Sequence, residues 1–129
     1  MYLLDTDIIV WHLRNRKEVV ALVTHLSETG RLSLSALTRL EVGIGMKESE
    51  REATGEFLNS IETYEVDAAI ADMAAEFVRY YQAKGITLDI VDAVIAATSV
   101  IHGLTLVTLN VKHYPMPEVR LHSARVRRR

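Results

Sequence analysis

Apolar and polar positions follow two periods along the chain, and these periods predict strands that alternate with helices. Short apolar runs such as "YLL" and "LTLV" have the length and composition of buried strands. Between such runs, "EVVALVTHLSE" is typical of an amphipathic helix whose buried face contains Val19, Leu22, Val23 and Leu26. We therefore predict one α/β domain over residues 1–129, with a central parallel sheet of four to five strands flanked by helices.

The predicted elements can be placed in chain order. A strand over about residues 2–5 precedes two helices, "DIIVWHLR" and the one just described. The strand "RLSLSAL" precedes a helix over about residues 38–47, and helical segments near 49–60 and 68–84 enclose the strand "IETYEV". The helix "IVDAVIAATSVIH" and the strands "LTLVTLN" and "EVRLH" complete the domain. We expect Gly30, Gly85 and Gly103 to end helices in the left-handed conformation.

Composition narrows the functional classes. Of the 129 residues, 49% are hydrophobic and 25% charged, and the absence of cysteine excludes disulfides and thiolate metal sites. We expect a cytoplasmic protein with no membrane contact, because Asp5 and Asp7 interrupt any signal-peptide core and no apolar stretch could span a bilayer. The net charge is −2, but "RNRK" and the C-terminal "RVRRR" are locally basic.

Asp5 closes the first predicted strand, at the edge where open α/β sheets form their sites. An aspartate there is often a turn residue or a helix cap. However, Thr6 or Asp7 could supply the cap, which leaves Asp5 available for a site.

Glu41 lies on the helix that follows the second strand. The helical wheel places it at the margin of an apolar face formed by Leu37, Leu40 and Ile44. A carboxylate beside the core needs a partner. Glu41 therefore either pairs with a neighbouring Arg39 or Lys47 or belongs to a site.

Asp92 and Asn110 are two further candidates near strand ends. Asp92 stands in the first turn of an almost wholly apolar helix, and Asp89 is the expected cap of that helix, although the two roles could be reversed. Asn110 closes the strand "LTLVTLN", where asparagine is usually a turn residue.

These four residues could converge at one rim of the sheet. Clustered carboxylates repel one another, and Mg²⁺ or Mn²⁺ would relieve the repulsion through hard oxygen ligands. The absence of cysteine and of an H-E-x-x-H pattern disfavours zinc, and no Walker A loop is present.

The sequence resembles the PIN-domain ribonucleases and, within them, the VapC toxins of VapBC toxin–antitoxin pairs. The resemblance covers nearly the whole chain and depends on "LLDTD", "LSLSALTRLEVGIG" and "DAVIAATSVIHGLTLVTLNVKHY". It implies that Asp5 and Asp92 are the principal ligands of Mg²⁺ (or Mn²⁺), and that Glu41 acts directly, through water or as a base. It also implies three further residues at the site. Asn110 takes the position of a fourth ligand, and the hydroxyls of Thr6 and Thr108 form hydrogen bonds there.

The resemblance also implies a reaction and partners. The reaction is hydrolysis of an RNA phosphodiester that leaves a 5′ phosphate and a 3′ hydroxyl. The partners are a second copy of the chain and a cognate VapB-type antitoxin that places a peptide at the acidic pocket. The residues expected to hold the RNA backbone are Arg14, Arg16, Lys17, Arg39, Lys112 and the C-terminal arginines.

Two alternatives remain open from the sequence. A HAD-like phosphatase would use "LLDTD" as its D-x-D motif, but Ile8 and Ile9 stand where a threonine is expected, and Glu41 would have no role. A non-catalytic PIN-like module that binds RNA or a protein partner is supported only by Asn110. Three intact acids favour the enzyme.

Overall fold

Five parallel strands form the centre of the computed structural model, which describes residues 1–122. The strands are β1 (Tyr2–Leu4), β2 (Leu32–Ser35), β3 (Glu62–Tyr64), β4 (Thr105–Val107) and β5 (Arg120–Leu121). Their order across the sheet is β3-β2-β1-β4-β5, and every neighbouring pair is parallel. The predicted fold class is thus confirmed, and the ends of β1 and β4 lie side by side at the point where strand order reverses, where such sheets form their sites.

Helices cover both faces of the sheet. They are α1 (Thr6–Leu13), α2 (Lys17–Thr29), α3 (Ala36–Gly45), α4 (Arg51–Ser60), α5 (Ala68–Gln82) and α6 (Ile90–Ile101), with short 3₁₀ turns at Glu48–Glu50 and Val111–His113. Successive strand residues point to opposite faces, so Leu3 packs in the cluster with α5 and α6, whereas Leu4 packs in the cluster with α1 to α4. Within residues 1–122, every helix is too short or too polar to cross a membrane.

Two of the three predicted helix-ending glycines have the expected conformation. Gly85 has a φ of 80° and Gly103 a φ of 64°, both in the left-handed region. The prediction for Gly30 is wrong, because its φ is −175° and its backbone is extended. Glycine is instead suited to this position by close packing, since a Cβ there would lie 3.0 Å from the Met1 nitrogen and 3.0 Å from Cε2 of Tyr2.

The predicted buried face of α3 is also wrong. Leu40 is 56% exposed and Ile44 is 77% exposed, whereas Thr38 and Val42 are buried. A helical wheel detects clustered apolar residues but not the side on which the sheet lies. Glu41 is consequently an exposed residue rather than one at the margin of the core.

Candidate active site

Asp5 lies directly after β1, beside the end of β4, and is 5% exposed. Its Oδ1 accepts a hydrogen bond from the Thr6 N–H at 2.8 Å, and its Oδ2 accepts from Thr108 Oγ1 at 2.8 Å and from the Tyr114 hydroxyl at 2.9 Å. Asp5 is itself the N-cap of α1, so the expectation that Thr6 or Asp7 would fill that position is wrong. Three donors therefore fix this carboxylate in one orientation.

Asp92 faces the same point from the first turn of α6. Asp89 caps the helix by accepting from the N–H groups of Val91 at 2.9 Å and Asp92 at 3.3 Å, which leaves the Asp92 side chain available. Asp92 Oδ1 accepts from the Tyr114 hydroxyl at 3.2 Å, and Oδ2 lies 3.3 Å from His113 Nδ1. Burial, together with the charges of Asp5 and Asp89, raises the pKa of Asp92 to about 6.

Glu41 reaches the site through Thr6. The Thr6 hydroxyl donates to Glu41 Oε1 at 2.6 Å, and Thr6 is the residue after Asp5. The alternative pairing of Glu41 with Arg39 does not form, because the Arg39 guanidinium donates to Leu58 O at 3.2 Å and lies among residues of α4 and β3. The Thr6 hydroxyl thus connects exposed Glu41 of α3 to the segment that follows β1.

Asp7 is a neighbour of the site that the sequence reasoning treated as a possible cap or as the second aspartate of a D-x-D motif. Its Oδ1 accepts from the Ile8 N–H at 2.7 Å, and its Oδ2 accepts from the Leu109 N–H at 3.1 Å and from Asn110 Nδ2 at 2.9 Å. Burial and the charge of Asp5 raise the pKa of Asp7 to about 6. The structure therefore holds the Asn110 amide against Asp7. The signal that could have revealed this role is the D-x-D spacing itself.

Tyr114 is a second residue that the sequence reasoning missed. It is 3% exposed, and its hydroxyl contacts both Asp5 and Asp92. Burial and these two carboxylates raise the pKa of the phenol, so Tyr114 is protonated and acts as a hydrogen-bond donor. The sequence signal that could have revealed Tyr114 is the aromatic residue just after "LVTLNVKH". The preceding residue, His113, is exposed and contacts Asp92.

The predicted RNA-binding residues have different surroundings. Arg14 lies 3.5 Å from Glu50, and Arg16 lies 3.6 Å from Glu18 and over the ring of Trp11. Lys17 and Lys112 are exposed, and Lys112 is two residues from Asn110. The C-terminal arginines, at positions 125 and 127–129, lie outside the described residues.

A groove extends from Glu41 between α1 and α3. Its volume is about 300 Å³, with a largely apolar floor and a charged rim. The floor is formed by Val10, Leu13, Val42 and Met46, and the charged residues are Arg14, Glu41 and Glu50. Glu41 therefore belongs both to the acidic cluster and to a surface large enough to receive part of a ligand.

The acidic cluster fits a hard divalent cation by the chemistry of its donors. Asp5, Asp92 and Glu41 offer carboxylate oxygens, and burial followed by the charge of Asp5 raises the pKa values of Asp7 and Asp92, a cost of ionisation that a cation would offset. Within residues 1–122, no three acidic or histidine side chains already stand in a metal-ligating arrangement. Binding would therefore require local adjustment of these side chains, above all of exposed Glu41.

A parallel sheet with acids gathered beside the ends of β1 and β4 defines the class of protein. The family model described as PIN domain matches residues 2–118, and the chain therefore belongs to the PIN-domain family. This membership excludes the HAD-like phosphatase, whose second aspartate would here be Asp7, which is hydrogen-bonded to Leu109 and Asn110.

Named relatives narrow the class further. Ribonuclease VapC19 of Mycobacterium tuberculosis (strain ATCC 25618 / H37Rv) is 35% identical over 117 residues, which cover 90% of this chain and 94% of that protein. Ribonuclease VapC10 of the same strain is 31% identical over 118 residues, covering 92% and 89%. The structure of VapBC2 from Rickettsia felis bound to a DNA fragment from their promoter has the same fold, with a TM-score of 0.84 at 23% identity, covering 94% of this chain and 96% of that one. The chain is thus a PIN-domain protein of the VapC ribonuclease group, which confirms the resemblance.

Proposed function

We propose that this protein is an endoribonuclease toxin that hydrolyses RNA phosphodiester bonds with Mg²⁺ or Mn²⁺ held by Asp5, Asp92 and Glu41. The observation that supports this most directly is that Asp5 and Asp92, from different elements, contact one hydroxyl, while Thr6 holds Glu41 beside them. The ribonuclease names of the relatives support the same reaction class.

The residues have distinct roles in this proposal. A divalent cation at the site would supply an activated water and orient an RNA phosphate for in-line attack. Asp5, held by three donors, is the rigid anchor, and Asp92 completes the anionic pair from the N-terminus of α6. Glu41 Oε1 accepts from Thr6, and Glu41 would hold the cation through a water molecule and take a proton from that water. The products would carry a 5′ phosphate and a 3′ hydroxyl.

Basic residues near the acids would position the RNA backbone. Arg14 lies on the rim of the groove that contains Glu41, and exposed Lys112 stands beside Asn110, so these two are the best-placed candidates. Arg16 and Lys17 lie at the start of α2, two and three positions after Arg14 in the chain. Arg39 is the weakest candidate, because its guanidinium already donates to Leu58 O and Asn59 Oδ1.

Exposed apolar side chains on the acid-bearing helices support protein partners. Leu40 and Ile44 on α3, and Ile90 at the start of α6, are 56%, 77% and 71% exposed. A partner that covered these side chains would remove their apolar surface from water. The proposed partners are a second copy of the chain and a VapB-type antitoxin, like the partner proteins in the VapBC structures, and the proposed location is the cytoplasm.

RNA cleavage by the purified chain, freed of any antitoxin, tests the proposal. A structured RNA pool is incubated with Mg²⁺ or Mn²⁺ and then with chelator, using wild type, Asp5→Asn and Asp92→Asn. Exposed Asp72→Asn on α5 is the matched control, because it removes the same charge away from the site. We expect metal-dependent cleavage that falls at least about 100-fold in the two site variants and is unchanged in the control.

The other outcomes are distinct. Cleavage that survives chelator and both site substitutions would come from a contaminant. RNA binding without cleavage in either metal would support the non-catalytic module instead. The non-catalytic module was supported only by Asn110, and the hydrogen bond from Asn110 to Asp7 weakens that support because it gives the amide a structural role.

A further inference from the structure

One hydroxyl group joins the two principal acids of the site. The Tyr114 hydroxyl lies 2.9 Å from Asp5 Oδ2 and 3.2 Å from Asp92 Oδ1. Asp5 follows β1 and Asp92 belongs to α6, so no single helix or strand fixes the distance between the two carboxylates. A phenol has a single hydrogen to donate, which the two carboxylates share.

The position of Tyr114 is fixed independently of the acids. Its ring is buried in the cluster that α5 and α6 form against the sheet, and its N–H donates to Val111 O at 3.1 Å. The next residue is also fixed, because Pro115 O accepts from the Tyr81 hydroxyl at 3.1 Å. The hydroxyl is thus a rigid point that the carboxylates approach from two directions.

The two carboxylates depend on this hydroxyl unequally. Asp5 has two other donors, the Thr6 N–H and the Thr108 hydroxyl. The remaining side-chain contact of Asp92 within residues 1–122 is the imidazole of His113, whose side chain is 55% exposed. Loss of the Tyr114 hydroxyl would therefore release Asp92 more than Asp5.

We propose that Tyr114 is a positioning residue that holds the carboxylates of Asp5 and Asp92 at the separation from which both can bind the divalent cation. This inference rests on the proposed function only in that both acids ligate the cation. The hydroxyl belongs to a ring that is buried in the core, so it contacts both carboxylates from a fixed point of the fold. Hydrogen-bonding partners of ligands commonly change metal affinity 10- to 100-fold, roughly, when they are removed.

Calorimetric titration of the antitoxin-free protein with Mn²⁺, without RNA, tests this directly. The variants are Tyr114→Phe, which removes only the hydroxyl, and Tyr2→Phe as the control. Tyr2 also loses one hydroxyl and its hydrogen bond, which joins it to Thr29 Oγ1 at 2.9 Å and not to an acid of the site. We expect Tyr114→Phe to weaken Mn²⁺ binding about tenfold or more and Tyr2→Phe to leave it unchanged. Melting curves with and without Mn²⁺ should show a correspondingly smaller metal-induced rise for Tyr114→Phe.

Asp5→Asn distinguishes failure of this inference from failure of the proposed function. If wild type binds Mn²⁺, Asp5→Asn does not, and Tyr114→Phe binds as tightly as wild type or more tightly, only the role of Tyr114 is overturned. Equal weakening in Tyr2→Phe and Tyr114→Phe would also overturn it, because the effect would then come from loss of any tyrosine hydroxyl and not from the contact with the acids. If wild type binds no Mn²⁺, both the metal site and the role of Tyr114 fail.

Discussion

Replacing Asp92 by asparagine should stabilise the metal-free protein while it removes activity. The pKa of Asp92 rises from 3.8 to about 6 on folding, through burial and the charges of Asp5 and Asp89. Because the folded state binds this proton more tightly than the unfolded state does, stability falls as pH rises from 3.8 to about 6, and the full cost is present at neutral pH.

The size of this effect follows from the shift. Two pKa units correspond to about 3 kcal/mol, as an upper limit. The Asp92 side chain is 19% exposed and lies near the exposed His113, so water screens part of the interaction. We expect Asp92→Asn to raise the free energy of unfolding by about 1–2 kcal/mol at neutral pH. The isosteric amide can still accept from Tyr114, so little packing is lost.

Urea denaturation in chelator measures the difference at about pH 7.5 and at about pH 4. The gain should be present at the higher pH and fall to about a fifth of that size at the lower, where folded Asp92 is protonated and the unfolded aspartate is only partly ionised. Asp72→Asn, with the same charge change on exposed α5, should show no gain at either pH. The reasoning is refuted if Asp92→Asn is no more stable than wild type at neutral pH, or if its gain is equally large in acid.

Three further predictions concern other parts of the chain. His12 has a pKa lowered by burial, so stability should fall as pH drops below about 6.5, and His12→Gln should reduce that fall in urea titrations. Gly55→Ala, inside α4 with open space at the Cβ, should raise the free energy of unfolding by about 0.5–1 kcal/mol, whereas Gly30→Ala should lower it by about 1 kcal/mol or more. Thr6→Val should lower kcat roughly tenfold and leave the melting temperature nearly unchanged, because only the contact to Glu41 is lost; an unchanged kcat would contradict this role.

Local patterns in the sequence were sufficient for the order of elements and for the positions of Asp5 and Asp92 beside the ends of apolar segments. Strand and helix periods depend on neighbouring residues, so all five strands were predicted, with ends that differ by a few residues. Asp5 and Asp92 could be selected because each stands beside the end of an apolar segment, and Asp89 could be separated from Asp92 by its spacing from the helix start. Local periodicity failed for Leu40 and Ile44, since the wheel does not indicate which side of α3 meets the sheet.

The sequence by itself determined an α/β domain with a parallel sheet of four to five strands and acids near strand ends, whereas the tertiary structure decided which polar groups meet at those ends. Tyr114 and Asn110 reach Asp5 and Asp7 across more than 100 positions of the chain. These contacts exist because β4 pairs with β1 in the centre of the sheet, which brings the end of one strand against the end of the other. Hydrophobic periodicity records whether a segment is buried but not its neighbour in the sheet, so the hydroxyl that joins the two acids became visible only in the folded chain.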